Sequence, residues 1–123
     1  VPGSSAYFKG SVVGYANEVK ENILGVNHET LGTYGAVSEE TVKKMITASI
    51  KKLNVDYALA TSGIMGPGGG STEKPVGTVW IAAGNKEKVE TLKLNLRFDR
   101  ERNISMTASA ALNFLRKFIL SEP

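Results

Sequence analysis

Residues 57–83, which read YALATSGIMGPGGGSTEKPVGTVWIAA, contain two apolar runs separated by a long glycine-rich segment. The runs at residues 57–60 and 78–83 have the length and composition of buried strands. Glycine permits positive φ and lets the backbone approach a ligand closely. The segment between the runs, residues 61–77, is therefore either a cradle of backbone N–H groups for an anion or a long exposed turn. The glycine pattern alone leaves both interpretations open.

Downstream of this stretch, the sequence predicts a hairpin and a helix. Residues 89–98 alternate as a half-exposed strand, and the short turn before them predicts antiparallel pairing with residues 78–83. Asp99 is a good N-cap for the last helix. The predicted buried stripe of that helix consists of Ile104, Ala108, Ala111, Leu112, Leu115, Phe118 and Ile119.

Upstream, two helices and one further strand are predicted. Residues 11–15 have the composition of a short strand, and Asn17 can cap a helix over residues 18–24. Ser38 can cap a second helix, whose apolar residues recur at helical spacing up to Leu53. The order of elements predicts an α/β domain, a layered α/β/α fold with a mixed sheet.

Composition excludes several kinds of site. The chain has 123 residues, a length that fits one domain. Because it has no cysteine, disulfides, thiolate nucleophiles and cysteine zinc sites are excluded, and the single histidine, His28, cannot form a multi-histidine metal site. The net charge of +3 is mild and no apolar run has the length of a membrane span. We therefore expect no nucleic-acid and no membrane partner.

Three polar positions are candidates for chemistry, each with an ordinary alternative. Ser5 follows another serine in a loop, where either hydroxyl could be a nucleophile or a helix cap. Lys20 falls in the first turn of its predicted helix, where the dipole would favour the neutral amine, or it is an exposed lysine. Arg100 begins the last helix, where an anion would bind well, or it is exposed beside Asp99.

Several segments together resemble the C-terminal domain of the competence/damage-inducible protein CinA, a family that also occurs as a stand-alone nicotinamide mononucleotide amidohydrolase. They occur in the family's order and spacing over nearly the whole chain. The segments are PGSSAYF (2–8), YANEVK (15–20), LGV (24–26), GAVSEE (35–40), SGIMGPGG (62–69) and KPVGTVWI (74–81).

The resemblance implies a single domain over residues 1–123 that lacks part of the family pattern. The family begins with a strand and helix carrying a Ser-x-Thr-Gly-Gly motif, so we expect this domain to be incomplete at its N-terminus. The family also often has Thr-Gly where this chain has Ser62-Gly63, and Gly-Asp-Arg where this chain has Phe98-Asp99-Arg100.

The activity implied by the resemblance is hydrolysis of the carboxamide of nicotinamide mononucleotide to nicotinic acid mononucleotide and ammonia. It places Ser5 as the nucleophile, Lys20 as its base and Tyr15 as a group that relays or orients. Burial and the helix start would together keep the Lys20 amine neutral. Ser4 and a serine of the absent segment are rivals for Ser5. The implied substrate-binding residues are Ser62, Gly63, Gly66, Gly68, Gly69 and Arg100.

The resemblance implies no metal and no cofactor. It implies a cytoplasmic bacterial enzyme with a small-molecule substrate, a pyridine mononucleotide, and we keep a homodimer as an assembly to test. The alternative is a non-catalytic nucleotide-binding or protein-interaction module of the same family. If the natural protein starts at Val1, the absent segment would favour that alternative, because it would leave an open sheet edge and half a pocket.

Overall fold

A computed structural model describes residues 1–123, and its three strands form one sheet in the order β1-β2-β3. The elements in chain order are a 3₁₀ turn (Ser4–Ala6), α1 (Asn17–Asn22), α2 (His28–Tyr34), α3 (Glu39–Leu53), β1 (Ala58–Gly63), β2 (Thr78–Gly84), β3 (Val89–Asn95) and α4 (Arg100–Ser121).

The central strand β2 is almost completely buried, because a helix covers each face of the sheet. Val79 and Ile81 pack with Ala111 of α4 on one face. Ala82 packs on the other face with Val42 and further apolar residues of α3. Since side chains alternate between the faces of a strand, the two helices divide β2 between them. The predicted α/β class and its α/β/α layers are confirmed.

The sheet is antiparallel throughout, and the predicted mixed sheet is not observed. Both pairs, β1 with β2 and β2 with β3, are antiparallel. A parallel pair needs a crossover connection, and residues 11–15, which were predicted to supply the extra strand, form none. No backbone of another strand pairs with them, and Val13 is 83% exposed.

Two of the helix N-caps predicted from the sequence, Ser38 and Asp99, are confirmed. The Ser38 hydroxyl accepts a hydrogen bond from the Thr41 N–H at 3.2 Å, and the Asp99 carboxylate accepts one from the Arg102 N–H at 2.8 Å. Each side chain satisfies an N–H that the first helical turn leaves unpaired. Asn17 is not a cap, because α1 begins at Asn17 itself and Ala16 takes the cap position.

Helix α2 was not predicted from the sequence. Its cap is Asn27, whose side-chain oxygen accepts from the Thr30 N–H at 2.7 Å. His28, the first residue of α2, is exposed, and its ring lies 2.8 Å from the Glu21 carboxylate. Because this helix is short and begins with polar residues, the sequence shows no apolar pattern that predicts burial of Thr30 and Leu31.

Helix α4 packs through a different face from the predicted one. Ala111 and Phe118 are buried as expected, but Leu112 is 64% exposed and Ile104 is also exposed. The buried face includes two polar residues, Asn103 and Thr107, which an apolar pattern does not identify. None of the helices combines the length and the apolar composition needed to cross a membrane.

Candidate functional site

A cavity of about 590 Å³ lies beside the end of β1, at the glycine-rich segment. Eight of the nine predicted site residues line it, and Ser5 does not. The eight are Tyr15, Lys20, Ser62, Gly63, Gly66, Gly68, Gly69 and Arg100. A volume of this size suits a small-molecule ligand, for which roughly 300–1,000 Å³ is usual.

Lys20 is a buried amine of this cavity. Its amine donates hydrogen bonds to the backbone oxygens of Gly14 at 2.6 Å and Tyr15 at 3.3 Å. Burial lowers the pKa of Lys20 below its ordinary value of 10.5, because removing the amine from water disfavours its charged form. Of the two expected causes, burial is confirmed and the helix dipole is not, because α1 has only six residues and Lys20 lies in its last turn.

A neutral lysine amine has two N–H donors and one lone pair. The two carbonyl groups can take both donors, which leaves the lone pair free to accept a proton. The two contacts therefore hold the amine in place, and the direction of its pKa shift is the one that favours the neutral form a base needs.

The glycine-rich segment begins as an extension of the β1–β2 pair. The Ile64 N–H donates to the Thr78 oxygen at 2.9 Å, and the Gly77 N–H donates to the Ile64 oxygen at 2.7 Å. Between these residues the chain leaves the sheet, with Gly66 and Gly69 at φ values of 91° and 90°. Residues with side chains rarely adopt such angles, so glycine is required there.

Backbone donors of this segment remain free at the cavity. The N–H groups of Gly66, Gly68 and Gly69 make no backbone hydrogen bond within the chain. Free N–H groups on a concave wall are a suitable environment for an anion. The cradle interpretation of the segment thus agrees with its geometry, and no helix follows it, so it is not a P-loop.

Two side chains of helix α4 hold the segment, one at the cavity wall and one behind it. The guanidinium of Arg100 donates to the Gly66 oxygen at 2.8 Å, and the side-chain amide of Asn103 donates to the Met65 oxygen at 3.0 Å. Arg100 has further N–H groups in addition to the one that binds Gly66, since a guanidinium carries five. It can therefore hold the segment and contact an anion at the same time.

The end of β1 forms the floor between Lys20 and the glycine segment. The Ser62 hydroxyl donates to the Ala36 oxygen at 2.8 Å, which ties β1 to the residues before α3. Gly63 follows at a crowded point, where a Cβ atom would lie 2.9 Å from a methyl carbon of Val79. A side chain at Gly63 would displace the β2 contact, so the position requires a small residue.

The structure separates Ser5 from the other predicted catalytic residues. Ser5 lies in the exposed 3₁₀ turn, and the Lys20 amine binds the carbonyls of Gly14 and Tyr15 without reaching the Ser5 hydroxyl. The Tyr15 side chain is 88% exposed at the edge of the cavity. Lys20, Tyr15, the glycines and Arg100 are thus brought together, and Ser5 is not.

Sequence reasoning did not identify several residues of the site. Asn17 and Met45 line the cavity, and Asn103 supports its glycine wall. Asn17 was interpreted as a helix cap and Met45 as core, which it also is. Asn103 could have been found by its spacing, because it lies four residues before Thr107 and eight before the buried Ala111.

Comparison with known proteins gives consistent matches. The family model of the CinA C-terminal domain matches residues 1–119. A CinA-like protein of Cytophaga hutchinsonii is 54% identical over 117 residues, which are 95% of this chain and 28% of that protein. The chain thus spans less than a third of the length of that relative.

Solved structures show the same fold. The competence damage-inducible protein A (ComA) of Klebsiella pneumoniae matches with a TM-score of 0.95 and 32% identity, covering 100% of this chain and 76% of that one. The competence/damage inducible protein CihA of Agrobacterium tumefaciens matches with a TM-score of 0.92 and 37% identity, covering 95% of this chain and 72% of that one.

Proposed function

The chain belongs to the CinA C-terminal domain family, and on that premise we propose that it hydrolyses the carboxamide of nicotinamide mononucleotide, as a cytoplasmic enzyme of pyridine nucleotide recycling. The observation that carries the proposal is the position of Lys20. A buried amine with a lowered pKa shares one cavity with free backbone donors and an arginine. These are the parts that deamidation of a phosphorylated substrate needs.

The reaction begins with attack of a hydroxyl oxygen on the carboxamide carbon. The Lys20 amine accepts the proton of that hydroxyl and passes it to the amide nitrogen, which leaves as ammonia. Water then hydrolyses the resulting ester and releases the carboxylate. Overall, carboxamide and water give carboxylate and ammonium, so no oxidant or reductant is required.

The glycine segment and Arg100 would bind the phosphate of the substrate. The free N–H groups of Gly66, Gly68 and Gly69 and the remaining donors of Arg100 are anion ligands on one wall of the cavity. With the phosphate there, the pyridine carboxamide lies toward Lys20. Ser62 and Gly63, at the end of β1, line the same cavity.

Ser5 remains the proposed nucleophile, and its position demands a rearrangement. Ser5 does not line the cavity, so its hydroxyl would have to move to reach a bound substrate, and apart from the turn at Ser4–Ala6 the residues around it form no helix or strand. Ser62 is the alternative serine, because its hydroxyl already lies in the cavity and donates to the Ala36 oxygen. Comparison of Ser5→Ala with Ser62→Ala separates the two.

A second candidate function is a non-catalytic nucleotide-binding module. It is supported by the same observation about Ser5: the cavity holds a base and anion donors, while the proposed nucleophile lies outside it. Such a module would bind the mononucleotide without releasing ammonia.

Ammonia release from nicotinamide mononucleotide, measured alongside binding by calorimetry, tests both candidates. The enzyme proposal expects release that Lys20→Ala abolishes. Binding without release supports the module instead. If the wild-type chain neither binds the nucleotide nor releases ammonia, both proposals are wrong.

A further inference from the structure

Asn103 is a polar side chain at a fully buried position of α4. It is 0% exposed, and its amide nitrogen donates to the backbone oxygens of Met65 and Phe98, both at 3.0 Å. Its oxygen accepts from the Phe98 N–H at 3.2 Å. Burying an amide costs free energy unless its groups are paired, and here both donors and the acceptor are paired.

The contact with Met65 fixes the start of the glycine-rich segment. In a trans peptide the C=O and the following N–H point in opposite directions. With the Met65 oxygen held by Asn103, the Gly66 N–H is directed away from α4, and it has no backbone partner in the chain. The next carbonyl, that of Gly66, is held by Arg100 at 2.8 Å.

We infer that Asn103 is a positioning residue, which orients the backbone donors of the glycine-rich segment for the anionic end of the substrate. The inference rests on the proposed function for the identity of that substrate. Asn103 does not line the cavity, so it acts on the ligand through Met65 and Gly66. An apolar residue would pack in its place on α4 but would leave the Met65 carbonyl without this donor.

Thr107 provides a matched control on the same helix face. It is buried one turn after Asn103, and its hydroxyl is the one buried side-chain polar atom without a hydrogen-bond partner. Thr107→Val removes a buried polar group from α4 without removing any contact to the glycine segment. A general effect of altering this face of α4 should therefore appear in the Asn103 and the Thr107 variants alike.

The experiment compares Asn103→Ala, the milder Asn103→Ser and Thr107→Val in the full chain. Backbone ¹⁵N relaxation of the glycines at 66, 68 and 69 reports the order of the segment, and steady-state kinetics with nicotinamide mononucleotide give KM and kcat separately. We expect order parameters to fall from about 0.85 to below about 0.6 in both Asn103 variants. KM should rise about tenfold with kcat within about twofold, because a remote binding contact is lost.

Thr107→Val should change neither quantity. Unchanged glycine order parameters in a folded Asn103→Ser variant overturn the inference, and so does a loss of order that Thr107→Val reproduces. If the wild-type chain binds the nucleotide but releases no ammonia, the proposed enzyme fails, while the relaxation data still establish or refute the role of Asn103.

Discussion

The Lys20 amine donates a hydrogen bond of 2.6 Å to the backbone oxygen of Gly14, at the inner edge of the cavity. Gly14 itself packs against this lysine, since a Cβ atom there would lie 3.3 Å from the Lys20 Cγ. The amine is therefore restrained both by its hydrogen bonds and by the backbone beside its stem. A base held in one position is what proton transfer to a bound substrate requires.

Replacing this amine should remove the proposed activity. We predict that Lys20→Met lowers kcat/KM for nicotinamide mononucleotide by at least about 10²-fold, the usual contribution of a general base. In the wild type, kcat/KM should rise with pH along an acid limb below 10.5, because only the neutral amine accepts a proton and burial lowers its pKa. Ammonia release across pH measures both effects.

Lys43→Met is the control for this prediction, since Lys43 is an exposed lysine of α3. It should retain wild-type kinetics. A Lys20→Met chain that keeps more than about a tenth of the wild-type rate would exclude Lys20 as the base.

Stability should depend on pH through the same lysine. Because its folded-state pKa lies below 10.5, the unfolded chain binds more protons between those two values. The free energy of unfolding of the wild type should therefore rise, relative to Lys20→Met, as pH increases through that window. Below the window both states are charged and the burial penalty is fully present.

Urea unfolding of both chains from about pH 7 to about pH 11, which includes the upper end of the window, measures this difference. Lys43→Met again controls for the loss of one positive charge. A constant difference between Lys20→Met and the wild type across this range would show that Lys20 is not desolvated in the folded chain.

Local signals in the sequence predicted most of the fold. The run at residues 78–83 is β2 because both of its faces are apolar, and Ser38 and Asp99 cap helices through their own side chains. Residues 11–15 have strand composition, yet a strand also needs a partner backbone, which composition does not reveal. The buried face of α4 was misassigned for a related reason: Asn103 is buried by its contact with Met65, 38 residues away.

For the candidate site, as for the fold, the sequence predicted most of the residues but not all of their physical environment. Glycines, a lysine near a short helix and an arginine at a helix start are recognisable residue types, and the fold brings them to one cavity. The cause of the lowered Lys20 pKa was predicted only in part. The pKa of Lys20 is lowered by burial and not by a helix dipole, and burial depends on the packing of α1 against the rest of the chain.

Arg100 should contribute to binding of the phosphate as well as to the shape of the segment. We predict that Arg100→Gln raises KM for nicotinamide mononucleotide by roughly 10- to 100-fold, the effect of losing a charge-assisted hydrogen bond. For nicotinamide riboside, which lacks the phosphate, KM should change much less. Kinetics with the two substrates show whether Arg100 contacts the phosphate or only holds the glycine-rich segment.

Arg102→Gln provides the comparison. Arg102 lies over the ring of Phe98, 4.3 Å from its centre, and does not line the cavity. Its replacement should leave KM for both substrates unchanged. An equal rise in KM for mononucleotide and riboside in Arg100→Gln would mean that Arg100 acts only by holding Gly66.

Gly77 should be among the least replaceable residues of the fold. Its φ is +94°, and a Cβ atom there would lie 1.8 Å from the Leu96 oxygen. We predict that Gly77→Ala destabilises the chain by more than about 3 kcal/mol, because the β2–β3 contact must open to admit a methyl group. Urea unfolding measures the loss.

Gly32→Ala is the same glycine-to-alanine change at a position where we expect the opposite effect on stability. Gly32 lies within α2, and a Cβ atom there meets no other atom within 4 Å. Alanine should stabilise the helix by about 0.5–1 kcal/mol. If Gly77→Ala were tolerated as well as Gly32→Ala, the close approach of Gly77 to Leu96 would not exist in solution.

The two faces of α4 should differ sharply in their tolerance of alanine. Phe118 is 2% exposed and packs edge-on against Tyr57, with ring centres 6.2 Å apart, whereas Leu112 is 64% exposed. We predict that Phe118→Ala lowers the free energy of unfolding by about 3–5 kcal/mol, because it removes buried apolar surface and leaves a cavity. Leu112→Ala should change it by less than about 0.5 kcal/mol. Urea unfolding measures both changes. Comparable losses of unfolding free energy at the two positions would show that α4 packs through the face that the apolar pattern predicts.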